Sequence, residues 1–179
     1  MEPWAIDQAL SEMVLLYDTR EQPTAKLKRR LADFEGKSKR VTLQFGDYSV
    51  GYYDGGQMVS LQNQIVVERK CSLDELAMCL GKQRDRFEQE FLRAADKGAR
   101  IYLLVENASW EKLFAGDYRS RMSPQSLIGS LIAWSARYNL NVIFCKAETT
   151  GKLLRKIFQY NLHELLRKEG KNEPNSGRN

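Results

Sequence analysis

The chain has 179 residues, 42% hydrophobic and 28% charged, with a formal net charge of +5. This suits one globular domain with a substantial core, alone or with a short appendage. Three cysteines without a CxxC and a single histidine exclude a disulfide framework, a cysteine-rich zinc site and a multi-histidine metal site.

The N-terminal MEPWAIDQALSE is acidic and carries no apolar signal segment. MVLLYD, residues 13–18, reads as a short buried strand, and TREQP as the turn after it. Residues 24–34 read as a helix, with Leu27 and Leu31 on one face and basic residues on the others. Residues 39–45 alternate as a strand should: Val41, Leu43 and Phe45 point one way, Thr42 and Gln44 the other. Gly46 marks a bend, DYSVGYY continues as a strand, and Asp54-Gly55-Gly56 is a hairpin signal.

QIVVERK, residues 64–70, is a further strand that runs from apolar into charged residues. Ser72 and Glu75 form a capping box that starts a helix reaching Leu80. A second helix follows over about 83–97, closed by Gly98. ARIYLLVE, residues 99–106, is apolar enough for the centre of a sheet. A short helix over 109–114, a helix opened by Ser123-Pro124, the strand NVIFC at 141–145 and a last helix over 150–168 complete the order. Residues 169–179 are polar and read as a disordered tail. The expected fold is α/β, a central mixed sheet flanked by helices, with one domain over 13–168.

Asp47 and Glu68 each stand at the end of an expected strand. Glu68 directly follows the apolar run Ile65-Val66-Val67, where a buried carboxylate needs a partner. Lys70 shares its strand face, and Arg69 points the other way. Two converging carboxylates offer hard oxygen ligands to Mg²⁺ or Mn²⁺, and the Arg69 carbonyl could add another. A lysine beside them can contact a phosphate and orient an attacking water. A solvated strand end closed by an ion pair is the alternative reading of these residues. The only histidine, His163, is remote from the cysteines, and no P-loop is present.

Together these pieces, GDYSV, VVERKCSLD and upstream YDTRE, resemble the XPF-type structure-specific DNA endonucleases, the ERCC4 nuclease domain of the PD-(D/E)XK superfamily. Gly46, Asp47, Glu68, Arg69, Lys70 and Asp74 match the signature GD…ERKxxxD, and Asp18, Arg20 and Glu21 match the first-strand motif. RFEQEFLR, ARIYLLVE and LIAWSARYNLNVIFC resemble later segments, so the likeness covers about 13–165. It implies a restriction-endonuclease-like fold and a metal-dependent DNA endonuclease acting on branched, flapped or junction DNA in recombination or repair. By that resemblance Asp47 and Glu68 are metal ligands with Asp18 bordering them, and Lys70 is the catalytic lysine. Arg20 and Glu21 position the site or the phosphate, and Arg69 anchors the site through a salt bridge. Asp74 either braces Lys70 or Arg69 or is a first-turn acid favoured by the helix dipole. Glu90 reads as the partner of Arg86 and Arg93 on its own helix, with the arginines as alternative DNA-backbone contacts.

The resemblance also implies DNA as partner and a homodimer through the late helices and NVIFC, using Leu127, Ile128, Leu131, Trp134, Ile143 and Phe144. Part of that set must serve the chain's own core. Many members continue into tandem helix–hairpin–helix modules, and no such segment is seen here, so a separate specificity subunit is one expectation. A catalytically silent DNA-binding or scaffold subunit is the rival reading. A basic pI of about 9.1 suits a polyanionic partner, and the Lys26–Arg40 cluster is a candidate phosphate contact. No membrane span is expected, and the expected place is the cytoplasm, of a bacterium or of a phage host.

Overall fold

ARIYLLVE takes the place that an apolar run favours. β6 (Arg100–Glu106) lies inside a sheet, hydrogen-bonded in parallel to β5 (Ile65–Lys70) on one side and β7 (Leu140–Cys145) on the other. The computed structural model describes residues 3–172. The sheet has seven strands in the order β2-β1-β3-β5-β6-β7, and β4 (Gln57–Ser60) pairs with β3 (Tyr48–Asp54). β1 (Met13–Asp18) is parallel to β2 (Ser38–Val41) and antiparallel to β3. The sheet is therefore mixed, as the pattern of hairpin followed by strand–helix–strand alternation predicts. Between β3 and β4, Gly55 and Gly56 take positive φ of 54° and 83°, as a tight hairpin turn requires.

Helices cover both faces. α3 (Leu73–Leu80), α4 (Arg84–Asp96), α5 (Trp110–Ala115) and α6 (Pro124–Tyr138) share a core with Phe45, Val66, Ile101 and Leu103. α1 (Pro3–Ser11), α2 (Ala25–Ala32) and α7 (Thr150–Asn172) build the other core with Leu15, Val50, Val67 and Leu104. Alternation along β5 sends Val66 to the first core and Ile65 and Val67 to the second. Glu68 and Lys70 thus belong to the α3–α4 face, and Arg69 to the α2–α7 face. The result is a mixed α/β fold with a central sheet flanked by helices, consistent with restriction-endonuclease-like architecture.

Three boundaries differ from the sequence pattern. β2 ends at Val41, although burial still alternates through Leu43 and Phe45. The ladder stops because the Leu43 N–H donates to the Asp18 carboxylate, 2.7 Å, and not to a neighbouring strand. At the start of α3, Ser72 Oγ accepts from the Glu75 N–H, but Glu75 accepts from the Cys71 N–H, one residue earlier than a capping box has it. α7 continues to Asn172, past the expected start of the tail at 169, and residues 173–179 lie outside the described residues. α1 lies outside the elements that the sequence pattern predicts: it buries only Ile6 and Ala9, too short an apolar stripe to read as a period. Among the described residues no helix is long and apolar enough to cross a membrane.

Candidate active site

The turn before β3 aims Asp47. Gly46 has φ +72°, and a Cβ there would come within 3.1 Å of Val66 Cβ and 3.3 Å of the Val67 carbonyl oxygen. Both the conformation and the close approach to β5 call for glycine. The Asp47 N–H then donates to the Val67 carbonyl, 2.9 Å, while Asp47 Oδ2 accepts from the Arg69 N–H, 2.8 Å. β3 and β5 meet antiparallel at Tyr48 and Val67, so the next step of the register sets Asp47 opposite Glu68. Lys70 Nζ donates to Glu68 Oε1 at 2.6 Å and lies 4.5 Å from the centre of the Phe87 ring. Both Glu68 and Lys70 are buried.

These charges are unevenly matched. Burial, and then the Glu68 carboxylate, push Asp47 up to about 8. Burial also raises Glu68, with Glu90 adding to it, and the Lys70 ammonium only partly offsets both. Burial works to lower Lys70, but Glu68 together with its other neighbours, Asp47 among them, more than offsets it and holds the lysine protonated. One lysine thus serves two acids.

Asp18 and Arg20 stand next to this group. The fully buried Asp18 carboxylate accepts from the Arg20 N–H, 2.8 Å, from Arg20 Nε, 2.5 Å, and from the Leu43 N–H. Burial raises its pKa, but Arg20 and the Leu43 N–H together lower it below the ordinary carboxylate range. Both oxygens of this acid, expected at the border of a metal, are thereby taken up by protein donors. Arg20 reaches onward to the Gly46 carbonyl, 3.2 Å, and to Glu90, 3.9 Å. Glu90 is not the partner of Arg86 and Arg93 in its own helix. It lines a small cavity with Gly46, Val66 and Glu68. The physical reason is its place between Phe87, Phe91 and Ala94, which turns it to the edge of α4's buried face. That neighbourhood is a signal in the sequence, since Glu90 follows Phe87 by three residues.

Across the strand, Arg69 enters a network of opposite charges. It approaches Glu106 at 3.3 Å and Glu21 at 3.7 Å. Arg30, from α2, lies 2.9 Å from Glu21 and 3.6 Å from Glu106. Tyr48 donates its hydroxyl to Glu21, 2.6 Å, and Thr150 donates to Glu106, 2.7 Å. Arg30 is therefore buried, which corrects its place in the basic cluster, while Lys26, Lys28, Arg29, Lys37, Lys39 and Arg40 are exposed. Two sequence signals point to this network. Arg30 follows Leu27 by three residues on one helix face, and Glu106 ends an apolar strand just as Glu68 nearly does.

Asp74 braces neither Lys70 nor Arg69. Its Oδ1 accepts from the Arg119 N–H, 2.7 Å, and the Ser120 N–H, 3.2 Å, and its Oδ2 accepts from Arg119 Nε, 3.2 Å. The cause is its direction. Asp74 lies on the outer flank of α3, beside a loop that comes from after α5. Those donors hold its carboxyl below the ordinary range.

No group of three or more His, Cys, Asp and Glu side chains forms a metal-binding cluster among the described residues. What Asp47 and Glu68 offer is a pair of hard oxygen donors with too little positive charge in the protein to hold both ionised. Mg²⁺ keeps several waters and needs only one or two carboxylates. The donor chemistry therefore fits such an ion.

A model of the ERCC4 domain matches residues 17–157. No curated protein matches the chain. Among solved structures, XPF from Aeropyrum pernix is similar with a TM-score of 0.61 at 19% identity, over 87% of this chain and 68% of that one. XPF from the same organism in complex with DNA gives 0.57 at 20% identity, over 87% of this chain and 65% of that one. The chain spans about two thirds of these proteins, and at such identity the likeness is one of fold.

Proposed function

The chain belongs to the ERCC4 domain family, and we propose that it is a Mg²⁺- or Mn²⁺-dependent DNA endonuclease that hydrolyses phosphodiester bonds in branched, flapped or junction DNA during recombination or repair. The observation that carries this reading is the placement of Asp47 opposite Glu68, with Lys70 2.6 Å from Glu68 and too little positive charge for both acids. The likeness to XPF in complex with DNA supports DNA as the partner.

In this mechanism Asp47 and Glu68 would hold the ion, with the Arg69 carbonyl as a further donor. The bound ion would supply Lewis acidity and lower the pKa of a coordinated water. Lys70 stays protonated and faces the charge that grows on the phosphate as water attacks. Its burial against Phe87 limits its freedom, so little reorganisation is needed. Asp18 fixes Arg20, which stays tied to the Gly46 carbonyl and so steadies the turn that aims Asp47. Glu21 and Arg69 hold the strand from the opposite face. Arg86 and Arg93, both exposed, are free to meet the DNA backbone.

The same reading includes a homodimer through the late helices and β7. Leu127, Leu131 and Trp134 are fully buried and belong to the chain's own core. Ile132 is exposed, and Ile128, Ile143 and Phe144 are half-buried near the free edge of the sheet. These supply the pairing surface.

The test is a cleavage panel in Mg²⁺ with single-stranded, duplex, flapped, forked and four-way DNA, and Glu68→Ala as control. Cutting of branched forms by the parent and none by the control is expected. An inactive parent across DNA forms and metals would transfer the reading to a non-catalytic DNA-binding subunit.

A further inference from the structure

Beside the catalytic strand lies an open groove of about 670 Å³, between the outer flank of α3 and the loop that leads into α6. Its floor is apolar: Ala77, Met78, Gly81 and Met122. Its rim carries Lys82, Arg119 and Arg121, all exposed, against the single acid Asp74. That acid is already matched by Arg119 and by the two loop N–H groups, so the groove keeps a positive balance. The loop ends at the N-terminus of α6, a helix of 15 residues whose dipole adds to the same sign.

We propose that this groove receives single-stranded DNA that leaves the active site. The proposal rests on the endonuclease reading for its direction, and on the groove's own chemistry for its ligand. An unpaired strand offers phosphates to a basic rim and the flat apolar faces of its bases to a floor of methionine, alanine and glycine. Paired bases in a duplex keep those faces stacked inside and have nothing to lay on such a floor. Position agrees: Asp74 is four residues from Lys70, and α3 packs against β5, the strand that carries Lys70. α3 therefore has Lys70 on one flank and the groove on the next. Asp74 has a purpose in this arrangement that does not involve Lys70. Its three hydrogen bonds hold Arg119 and Ser120 against α3 and so make the groove's wall.

The experiment measures binding of a labelled single-stranded oligonucleotide and of a duplex of equal length, in EDTA, over a range of salt. The parent is compared with Lys82→Ala/Arg121→Ala, which leaves the Asp74–Arg119 contacts in place. Loss of two phosphate contacts should lower the single-strand salt slope by about 1.4. Single-strand affinity should fall by roughly tenfold at low salt, with duplex affinity nearly unchanged. Peroxide oxidation of Met78 and Met122, read by mass spectrometry, should be slowed by the single strand and not by the duplex. Unchanged single-strand binding, an equal loss for both DNA forms, or methionines left unprotected would each overturn the proposal. Because binding is read without metal, the result does not depend on whether the protein cuts. A protein that cuts but ignores the groove variant loses only this proposal, and one that never cuts but needs the groove loses only the endonuclease reading.

Discussion

The two faces of β5 handle charge in opposite ways. On the α2–α7 face, Arg69 and Arg30 meet Glu21 and Glu106, two cations against two carboxylates, with Tyr48 and Thr150 filling further acceptor positions. On the α3–α4 face, Lys70 is the cation that contacts Glu68, and Arg20, already held by Asp18, acts on Asp47 and Glu68 only from further off. Successive residues of one strand serve both. The balanced face can be buried because each charge has its partner within the protein. Without enough positive charge, the unbalanced face keeps a proton on Asp47 in the metal-free protein, and a divalent cation is the simplest way to take that proton's place.

The largest expected effect lies on the balanced side. Arg30→Leu would leave Glu21 and Glu106 short of a partner in a buried place, and should cost about 3–5 kcal/mol of stability. Urea unfolding followed by circular dichroism checks it, and a loss below about 1 kcal/mol, the scale of a surface pair, would mean that the network is not a matched unit. Lys70 comes next. Lys70→Met and Lys70→Arg should each lower single-turnover cleavage roughly a hundredfold or more, the scale of one lost electrostatic donor. Arginine keeps the charge but not the shape. DNA binding should change little in the same preparations, and full cleavage by Lys70→Met would remove the lysine from the mechanism.

Asp47 gives a pH signature. Unfolded, it titrates near its ordinary value of 3.8; folded, it is pushed up to about 8. Between these values the folded state keeps a proton that the unfolded state has released. Stability of the metal-free protein is therefore lost as pH rises from 3.8 to about 8. Asp47→Asn removes this loss and can still accept from the Arg69 N–H. Thermal melts in EDTA should show the variant gaining over the parent more at the alkaline end of that window than at the acid end. Mg²⁺ should narrow the gap by stabilising the parent alone. Parallel curves for the two proteins would show that the acids of this face are not strained.

The smallest effect sharpens the comparison at the surface. Lys28→Ala/Arg29→Ala removes two exposed charges of α2 without touching buried Arg30. If DNA reaches round to this face, the duplex salt slope should fall by about 1.8. An unchanged slope confines the DNA to the α3–α4 side.

From β1 onward the sequence by itself determined most of the strand and helix order, because apolar alternation, Gly turns and Ser caps act over a few residues. It also determined the chemical character of the site: Glu68 and Lys70 share a face by the strand's period of two, and Gly46-Asp47 stands at a bend. Only the tertiary structure decided what each charge meets. Asp74 binds a loop 45 residues away, and Glu90 turns from its helix neighbours toward Arg20. Arg30 leaves the basic surface to join Glu106, and the Leu43 N–H leaves the ladder for Asp18. Local periodicity fixes which way a side chain points. Its partner is fixed by which distant element packs there, and burial makes that pairing obligatory since an unmatched charge in the core is too costly to keep.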